Sequence, residues 1–220
     1  MVPELMRGEL RVLNGTTVQP TCFETLVVGM AMYSDDCLEG SHGRNKDVWS
    51  LCNIGHQHQF WRFRNYMLGN VDVSLEPPVK HKITITVRLD ARVLKNLDDL
   101  IATIQHTYQS EDIVEIVVVE WHKLSLKEQL ELISTTTVHI TPAGGVSMIS
   151  LFLPRWSTSI RLYSVEFMLD YHIVNYLGYF TPEHIDCQAG GMIPIEDTMK
   201  YIAHGLERFD SFSKKDVTMS

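Results

Sequence analysis

Several features are scarce in or absent from this 220-residue sequence, and each absence argues against a class of protein. No apolar stretch reaches the 18 residues that a membrane span needs, and the N-terminus lacks the apolar centre of a signal peptide. Positive charge is scattered and the net charge is −8, which argues against a nucleic-acid partner because phosphate binding relies on clustered Lys and Arg. No G-x-G-x-x-G motif follows a first strand, which counts against a Rossmann-type oxidoreductase or methyltransferase.

Cysteine is also scarce, with four residues and no C-x-x-C pair. The four are either buried thiols in a reducing compartment or one or two disulfides in a secretory one. The spacings of one polar cluster fit no standard zinc template, so a surface loop is the default interpretation and we expect no zinc site; its members are Cys37, His42, Cys52, His56 and His58. No DxD-like pair sits at a strand end, so no divalent-metal site for a diphosphate is expected either.

The residues that are abundant predict an ordinary globular chain, with 45% hydrophobic and 21% charged residues. Pro77-Pro78 cannot continue a helix and marks a division. Residues 1–76 form an incomplete, irregular N-terminal region with a linker, and residues 77–220 form the regular domain. Within the first part, "FWRFRNYM" is typical of a helix that packs its aromatics against a core, although it could also stack on a sugar or a base.

After the prolines, strand and helix patterns alternate. The run "IVEIVVVEW" predicts a strand that is buried on both faces, and Ser125 with Glu128 forms a capping box. Asn96 suits the N-cap of the helix that follows it. The alternation predicts an α/β fold, a Rossmann-like parallel sheet with helices on both faces. Strands are predicted at 83–89, 113–121, 138–141 and 159–163, and helices at 96–108, 125–135, 146–153, 166–177 and 197–210.

The stretch "VHITPAGGVSMISLFLP" places two glycines between two apolar elements. Ligands of parallel sheets bind outside the carboxyl ends of the strands, and a helix beginning at Val146 would point free N–H groups out of this turn. Glycine lets the backbone approach a phosphate at such a place. On pattern alone, an anion site and a purely structural turn are equally good interpretations.

Four segments, taken in order, resemble the C-terminal half of the family 61 glycosyltransferases, which include plant xylan-modifying enzymes and animal EGF-domain O-GlcNAc transferases. They span roughly residues 20–180, and their joint order is more specific than any one of them. The second segment carries Arg88, Arg92 and Asn96, and the third carries Glu128 and Gln129. The four segments are "TCFETLVVGM", "ITVRLDARVLKN", "LSLKEQLELISTTTVHIT" and "TPAGGVSMISLFLPRWSTSIRLY".

Two departures from the family pattern stand out. Where the family usually has His-Gly-Ala-Gly, this sequence has Thr141-Pro142-Ala143-Gly144, followed by Gly145, so the glycines survive and the histidine is missing. The resemblance also implies a GT-B architecture of two Rossmann-like domains, and residues 1–70 are too short for the N-terminal one. The chain is therefore expected to be a fragment, a truncated gene product or a degenerate relative.

The resemblance implies a nucleotide-sugar site, and several of its residues also have a structural role as an alternative. Arg88 would grip the diphosphate, or pair with Asp90 or Glu120; Arg92 could simply face solvent. Gln129 would hydrogen-bond the base or the glycine loop. Ser147 would donate to a phosphate or bond its own backbone. Glu166 would bind the ribose or stabilise a helix N-terminus. The implied site consists of Arg88, Gln129, Thr141, Ala143, Gly144, Gly145, Ser147 and Glu166.

The activity implied is inverting transfer of a hexosyl or pentosyl group from a UDP-sugar to a hydroxyl of a glycan or glycoprotein. No cofactor and no metal are expected, and no catalytic base can be named. The resemblance places the protein in the Golgi or endoplasmic reticulum lumen, with the cytoplasm as the alternative. The competing function is a non-catalytic remnant that binds a nucleotide or a glycan.

Overall fold

The computed structural model describes residues 57–88, 93–108, 114–162, 179–187 and 191–217. All of them lie in the second of the two units into which the chain divides, Lys46–Ser220. Five strands form one parallel sheet, so the predicted α/β class is confirmed. The strands are β1 (His81–Thr86), β2 (Val114–Val119), β3 (Val138–Pro142), β4 (Thr158–Leu162) and β5 (Thr181–Ile185).

The described helices lie on both faces of the sheet. They are α1 (Gln57–Asn70), α2 (Leu97–Tyr108), α3 (Leu126–Ser134) and α4 (Ile195–Val217). Two stretches are 3₁₀ helices, a short one at Trp121–Lys123 and a longer one at Gly145–Phe152, which we call the 3₁₀ helix. The predicted helix at 166–177 lies outside the described residues.

One face of the sheet is apolar. Alternate residues of β1, β3 and β4 point into a core shared with α2 and α4 because a strand presents every second side chain to the same side. In α2 the buried residues recur every four positions, as an amphipathic helix requires. This core includes Ile83, Ile85, Leu100, Ile104, Val138, Ile140, Ile160, Leu162, Ile202 and Leu206.

The opposite face packs against a second cluster that includes α1 and α3. Phe60 and Leu68 of α1 are buried in it, so the predicted aromatic helix that packs on the core is confirmed. Residues 57–70, which the sequence assigns to the N-terminal region, therefore pack in the same unit as the sheet. The boundary at residue 77 and the roles of the two parts stay predictions.

The structure corrects the prediction for β2. The strand runs from Val114 to Val119 and lies at the edge of the sheet, with Glu115 and Val118 exposed. A continuous β-branched run predicts a strand but does not distinguish a central strand from an edge strand. β5, with the sequence Thr-Pro-Glu-His-Ile, was not predicted because it lacks a hydrophobic alternation.

The element after the glycines is also different from the predicted α-helix over 146–153. It is a 3₁₀ helix of eight residues, with three residues per turn. By contrast, the capping box is confirmed, since the Glu128 N–H donates to Ser125 Oγ (3.4 Å) and the Ser125 N–H donates to Glu128 Oε2 (2.7 Å). Its helix ends at Ser134, with Thr135 as the C-cap.

Candidate functional site at the switch point of the sheet

The strand order β2-β1-β3-β4-β5 creates a switch point between β1 and β3. From β1 the chain moves outward to β2, and it then returns to the other side of β1 to form β3. The connections therefore diverge at the carboxyl ends of β1 and β3, which is where ligands of doubly wound sheets bind. Arg88 follows β1 and the glycine turn follows β3, so both predicted elements flank this position.

The pairing of β1 with β3 shows how far Arg88 and the glycine turn lie beyond the paired residues. Ile85 lies opposite Ile140 in the last pair of the two strands, and Arg88 and Ala143 each follow that pair by three residues. Arg88 is partly buried. The residue before it, Val87, is held by β2, because its N–H donates to Val119 O (2.9 Å). One alternative partner, Asp90, lies outside the described residues, while the carboxylate of the other, Glu120, accepts from Lys123 Nζ (2.6 Å).

The turn after β3 is held by its backbone. The Ala143 N–H donates to Leu162 O of β4 (3.1 Å), and the hydroxyl of buried Thr141 donates to Pro142 O (3.1 Å). Gly144 has φ 119° and ψ −164°, a combination that is essentially restricted to glycine. Gly144 is thus required by the backbone itself.

Gly145 is different, because it is exposed and a Cβ built on it meets no atom within 4 Å. No neighbouring group in the described structure excludes a side chain here. The space beside this backbone position is open at the carboxyl edge of the sheet, where a ligand could approach it closely.

Ser147 closes the turn from the other side. Its N–H (2.9 Å) and its Oγ (2.8 Å) both donate to Gly144 O, and the side chain is fully buried. Of the two predicted interactions of Ser147, the structure therefore contains the one with its own backbone.

Gln129 also has a structural partner. Its Nε2 donates to Trp121 O (2.9 Å) and to Leu124 O (3.0 Å), which ties α3 to the short 3₁₀ helix after β2. Both partners lie in the segment after β2, and a role of Gln129 in nucleotide binding stays a prediction. Glu166 and Arg92 lie outside the described residues, as do Cys37, His42, Cys52 and His56. His58 is the second residue of α1, and its side chain is not described.

Asn96 occupies the predicted N-cap position, where its carbonyl accepts from the Leu100 N–H (3.2 Å), but its side chain binds a distant segment. Its Nδ2 donates to Ile193 O (2.9 Å) and its Oδ1 accepts from the Ile193 N–H (2.7 Å), so the amide joins two segments that are 97 residues apart. The Lys95 N–H donates to Gly191 O nearby (3.1 Å). The segment that leads into α2 is therefore fastened to the segment that leads into α4.

A polar network below the turn was missed by the sequence reasoning. His139 is fully buried on β3, with Nε2 2.9 Å from Thr86 Oγ1 and Nδ1 2.8 Å from Ser150 Oγ. Ser150 Oγ also lies 3.0 Å from Ser159 Oγ, and Trp121 Nε1 donates to Thr86 Oγ1 (2.8 Å). Burial lowers the pKa of His139 to about 3, so the imidazole is neutral at physiological pH.

The sequence signal that could have revealed this network is the alternation of polar with apolar residues along the strands. In "ITIT", "VHIT" and "TSIRL" the residues between the apolar positions are all polar, and parallel pairing brings them onto one face. All of them are at most 1% exposed: Thr84, Thr86, His139, Thr141, Ser159 and Arg161.

Arg64 of α1 holds the far end of the 3₁₀ helix. Its Nε donates to Phe152 O (3.0 Å) and Leu153 O (2.8 Å), and its guanidinium carbon lies 4.6 Å from the centre of the Trp61 ring. Burial lowers the pKa of Arg64 to about 10, Tyr179 opposes this shift and Arg155 adds to it. The group remains charged and anchors the carbonyls at this end.

A second concavity, of about 360 Å³, opens at the carboxyl end of β5. It is lined by two carboxylates, Asp186 and Asp197, together with His184, Lys200 and Tyr201. Lys200 is bound to Glu196 (3.0 Å) and Asp197 (3.1 Å), so its charge is largely balanced. Two carboxylates in the lining disfavour a diphosphate in this concavity.

Two features are absent from the described residues. Among them, no group of three or more His, Cys, Asp or Glu side chains could hold a metal ion. None of the helices in that part of the chain combines the length and apolarity that a membrane crossing requires.

The fold and the site define a parallel α/β domain with a glycine turn and an arginine at its switch point. The family model of glycosyltransferase 61 matches residues 48–160, which is more than half of the chain. The chain belongs to glycosyltransferase family 61, which makes it a transferase that acts on a sugar donor and an acceptor. No curated protein matches the sequence significantly.

Proposed function

We propose that the chain binds a UDP-sugar at the switch point and transfers its sugar, with inversion, to a hydroxyl of a glycan or glycoprotein. The observation that carries the proposal is the position of Arg88 and the Gly144–Gly145 turn at the two neighbouring strand ends where the chain reverses direction across the sheet. A cation and open glycine backbone at such an edge suit a diphosphate.

In the proposed reaction the acceptor oxygen attacks the anomeric carbon of the donor sugar as the bond from that carbon to the diphosphate oxygen breaks. The electron pair of the broken bond leaves with UDP, and the acceptor proton passes to a general base. Arg88 and the N–H groups of the turn stabilise the negative charge that develops on the leaving diphosphate. No base is assigned; His139 is excluded from that role by its complete burial.

Divalent metal has no part in this proposal, because Arg88 supplies the positive charge that a metal would otherwise bring to the diphosphate. UDP binding is therefore expected to persist in the presence of EDTA. A titration in which EDTA abolishes binding and magnesium restores it would contradict this point.

The main test is calorimetric titration of UDP into the parent and three variants. Arg88→Ala removes a charge-assisted interaction of about 1.5–3 kcal/mol and is expected to lower the affinity about tenfold to a hundredfold. Gly145→Val should weaken binding further, because its side chain would occupy the open space beside this backbone position. Arg62→Ala, which removes an exposed arginine of α1, is the matched control and should bind UDP like the parent.

Two outcomes would contradict the proposal: a parent that binds no uridine nucleotide, or a Gly145→Val variant that binds as tightly as the parent. A protein that binds UDP-sugars and releases no transfer product with any acceptor would instead support the non-catalytic alternative, which the missing motif histidine favours. The binding and transfer assays therefore separate the two functions.

A further inference from the structure

The 3₁₀ geometry of residues Gly145–Phe152 aligns the turn with the buried face of the sheet. With three residues per turn, side chains at i and i+3 lie above one another. Gly144, Ser147 and Ser150 therefore form one row, and both serines are completely buried. In an α-helix the same three positions would spread around the axis, and Ser150 would not lie under the turn.

Hydrogen bonds run along this row. Ser147 binds Gly144 O with both its N–H and its hydroxyl. One turn further, Ser150 is bound between Ser159 of β4 (3.0 Å) and Nδ1 of His139 (2.8 Å). The glycine turn is thus connected to the sheet through Ser150, one turn of 3₁₀ helix away.

Thr86 and Trp121 hold the other side of the His139 ring. Its Nε2 lies 2.9 Å from Thr86 Oγ1, which accepts from the indole N–H of Trp121 (2.8 Å). The Trp121 ring meets the imidazole edge-on, with centroids 5.8 Å apart and an interplanar angle of 87°. A neutral imidazole can donate from one ring nitrogen and accept at the other, so it can bridge Thr86 and Ser150 in either direction.

We propose that His139 is a positioning residue for the glycine turn. It does not contact a ligand, because it is completely buried, but through Ser150 it sets the height and orientation of the 3₁₀ helix from which the turn projects. The effect on ligand affinity rests on the proposed function, whereas the effect on the order of the 3₁₀ helix does not.

The structural test is hydrogen–deuterium exchange of the 220-residue chain, followed in peptides that cover residues 145–152. Ser150→Ala and His139→Gln are expected to speed exchange there about tenfold or more relative to peptides from α4. The Gln amide reaches the Nε2 position and can bind Thr86, whereas the shorter Asn amide lies near Nδ1 and can bind Ser150. His139→Asn should therefore restore slow exchange, a rescue that simple loss of stability does not predict.

Thr84→Val is the matched control. Thr84 lies on the same buried face, 2.7 Å from Thr136 Oγ1, and this hydrogen bond has no connection to the 3₁₀ helix. The variant loses a comparable buried hydrogen bond and should leave exchange over 145–152 unchanged. If Thr84→Val speeds exchange there as much as Ser150→Ala, or if Ser150→Ala and His139→Gln have no effect, the proposal is wrong.

The functional arm uses UDP on the same variants, below their unfolding temperatures. His139→Gln and Ser150→Ala should weaken binding about twofold to thirtyfold, with His139→Asn and Thr84→Val close to the parent. If the parent binds no UDP, the proposed function fails and the exchange experiment still decides the positioning role. If exchange changes as expected while UDP affinity stays equal in all variants, His139 orders the helix without positioning the ligand site, and the proposal is overturned.

Discussion

At the scale of single residues, the burial of His139 couples the stability of the domain to pH. Its pKa is about 3 in the folded protein and 6.5 in the reference state, so the unfolded chain binds the proton more readily between these values. The stabilising contribution is complete above pH 6.5 and is lost as the pH falls toward 3. Acid therefore destabilises the fold through this side chain.

We predict that the free energy of unfolding falls by about 2 kcal/mol through His139 between pH 7.5 and pH 5. Urea unfolding of the parent and of His139→Asn at both pH values measures it, because the other histidines titrate in both proteins and cancel in the difference. Equal pH dependence in the two proteins would show that His139 does not have the lowered pKa.

At the scale of elements, the turn between β3 and the 3₁₀ helix contains two glycines with different duties. Gly144 has a φ of 119° and a ψ of −164°, where a side chain costs about 1–3 kcal/mol. Gly145 lacks a positive φ and has open space at its Cβ position. The backbone conformation requires a glycine at position 144, whereas position 145 leaves room for a ligand.

Gly144→Ala is therefore expected to destabilise the protein by about 1–3 kcal/mol, and Gly145→Ala to change its stability by less than about 0.5 kcal/mol. Urea unfolding of both variants at neutral pH checks the difference. A Gly145→Ala variant that is as unstable as Gly144→Ala would mean that both glycines are structural.

The elements also differ in how far their sequences determine them. The capping box of α3 depends on residues three apart, so its pattern is visible in the sequence and the structure contains it. The spacing of Gly144, Ser147 and Ser150 is compatible with a 3₁₀ helix. It predicts one only once the buried polar face of the sheet, which binds Ser150, is known. For β2, the β-branched run predicts a strand, and the topology places it at an edge.

At the scale of the whole molecule, α1 belongs to the same unit as the sheet. Phe60 and Leu68 are buried in the second core, and Arg64 binds the carbonyls at the end of the 3₁₀ helix. Burial of the two apolar side chains alone contributes about 3–6 kcal/mol, against a total stability of about 5–15 kcal/mol for a typical domain. The helix is a substantial part of the fold.

A chain that begins at residue 77 should therefore unfold at a much lower temperature than the full chain, or show no cooperative transition. Thermal unfolding followed by circular dichroism compares the two. Leu68→Ala in the full chain is the intermediate case, with an expected loss of about 2–5 kcal/mol. A shortened chain that unfolds cooperatively at the temperature of the full chain would mean that residues 77–220 fold independently.

Features that arise from neighbouring residues can be predicted without a structure: the alternation of strands and helices, the capping box, the glycine turn at a strand end and the order of motifs that identifies the family. The partners of the polar side chains depend on the fold. His139 meets Thr86 across 53 residues of sequence and Asn96 meets Ile193 across 97, and such pairs form only once the strand order brings them together. Hydrogen bonds of this kind depend on distance in space, which the local pattern does not contain; for the same reason the switch point between β1 and β3 became visible only with the sheet.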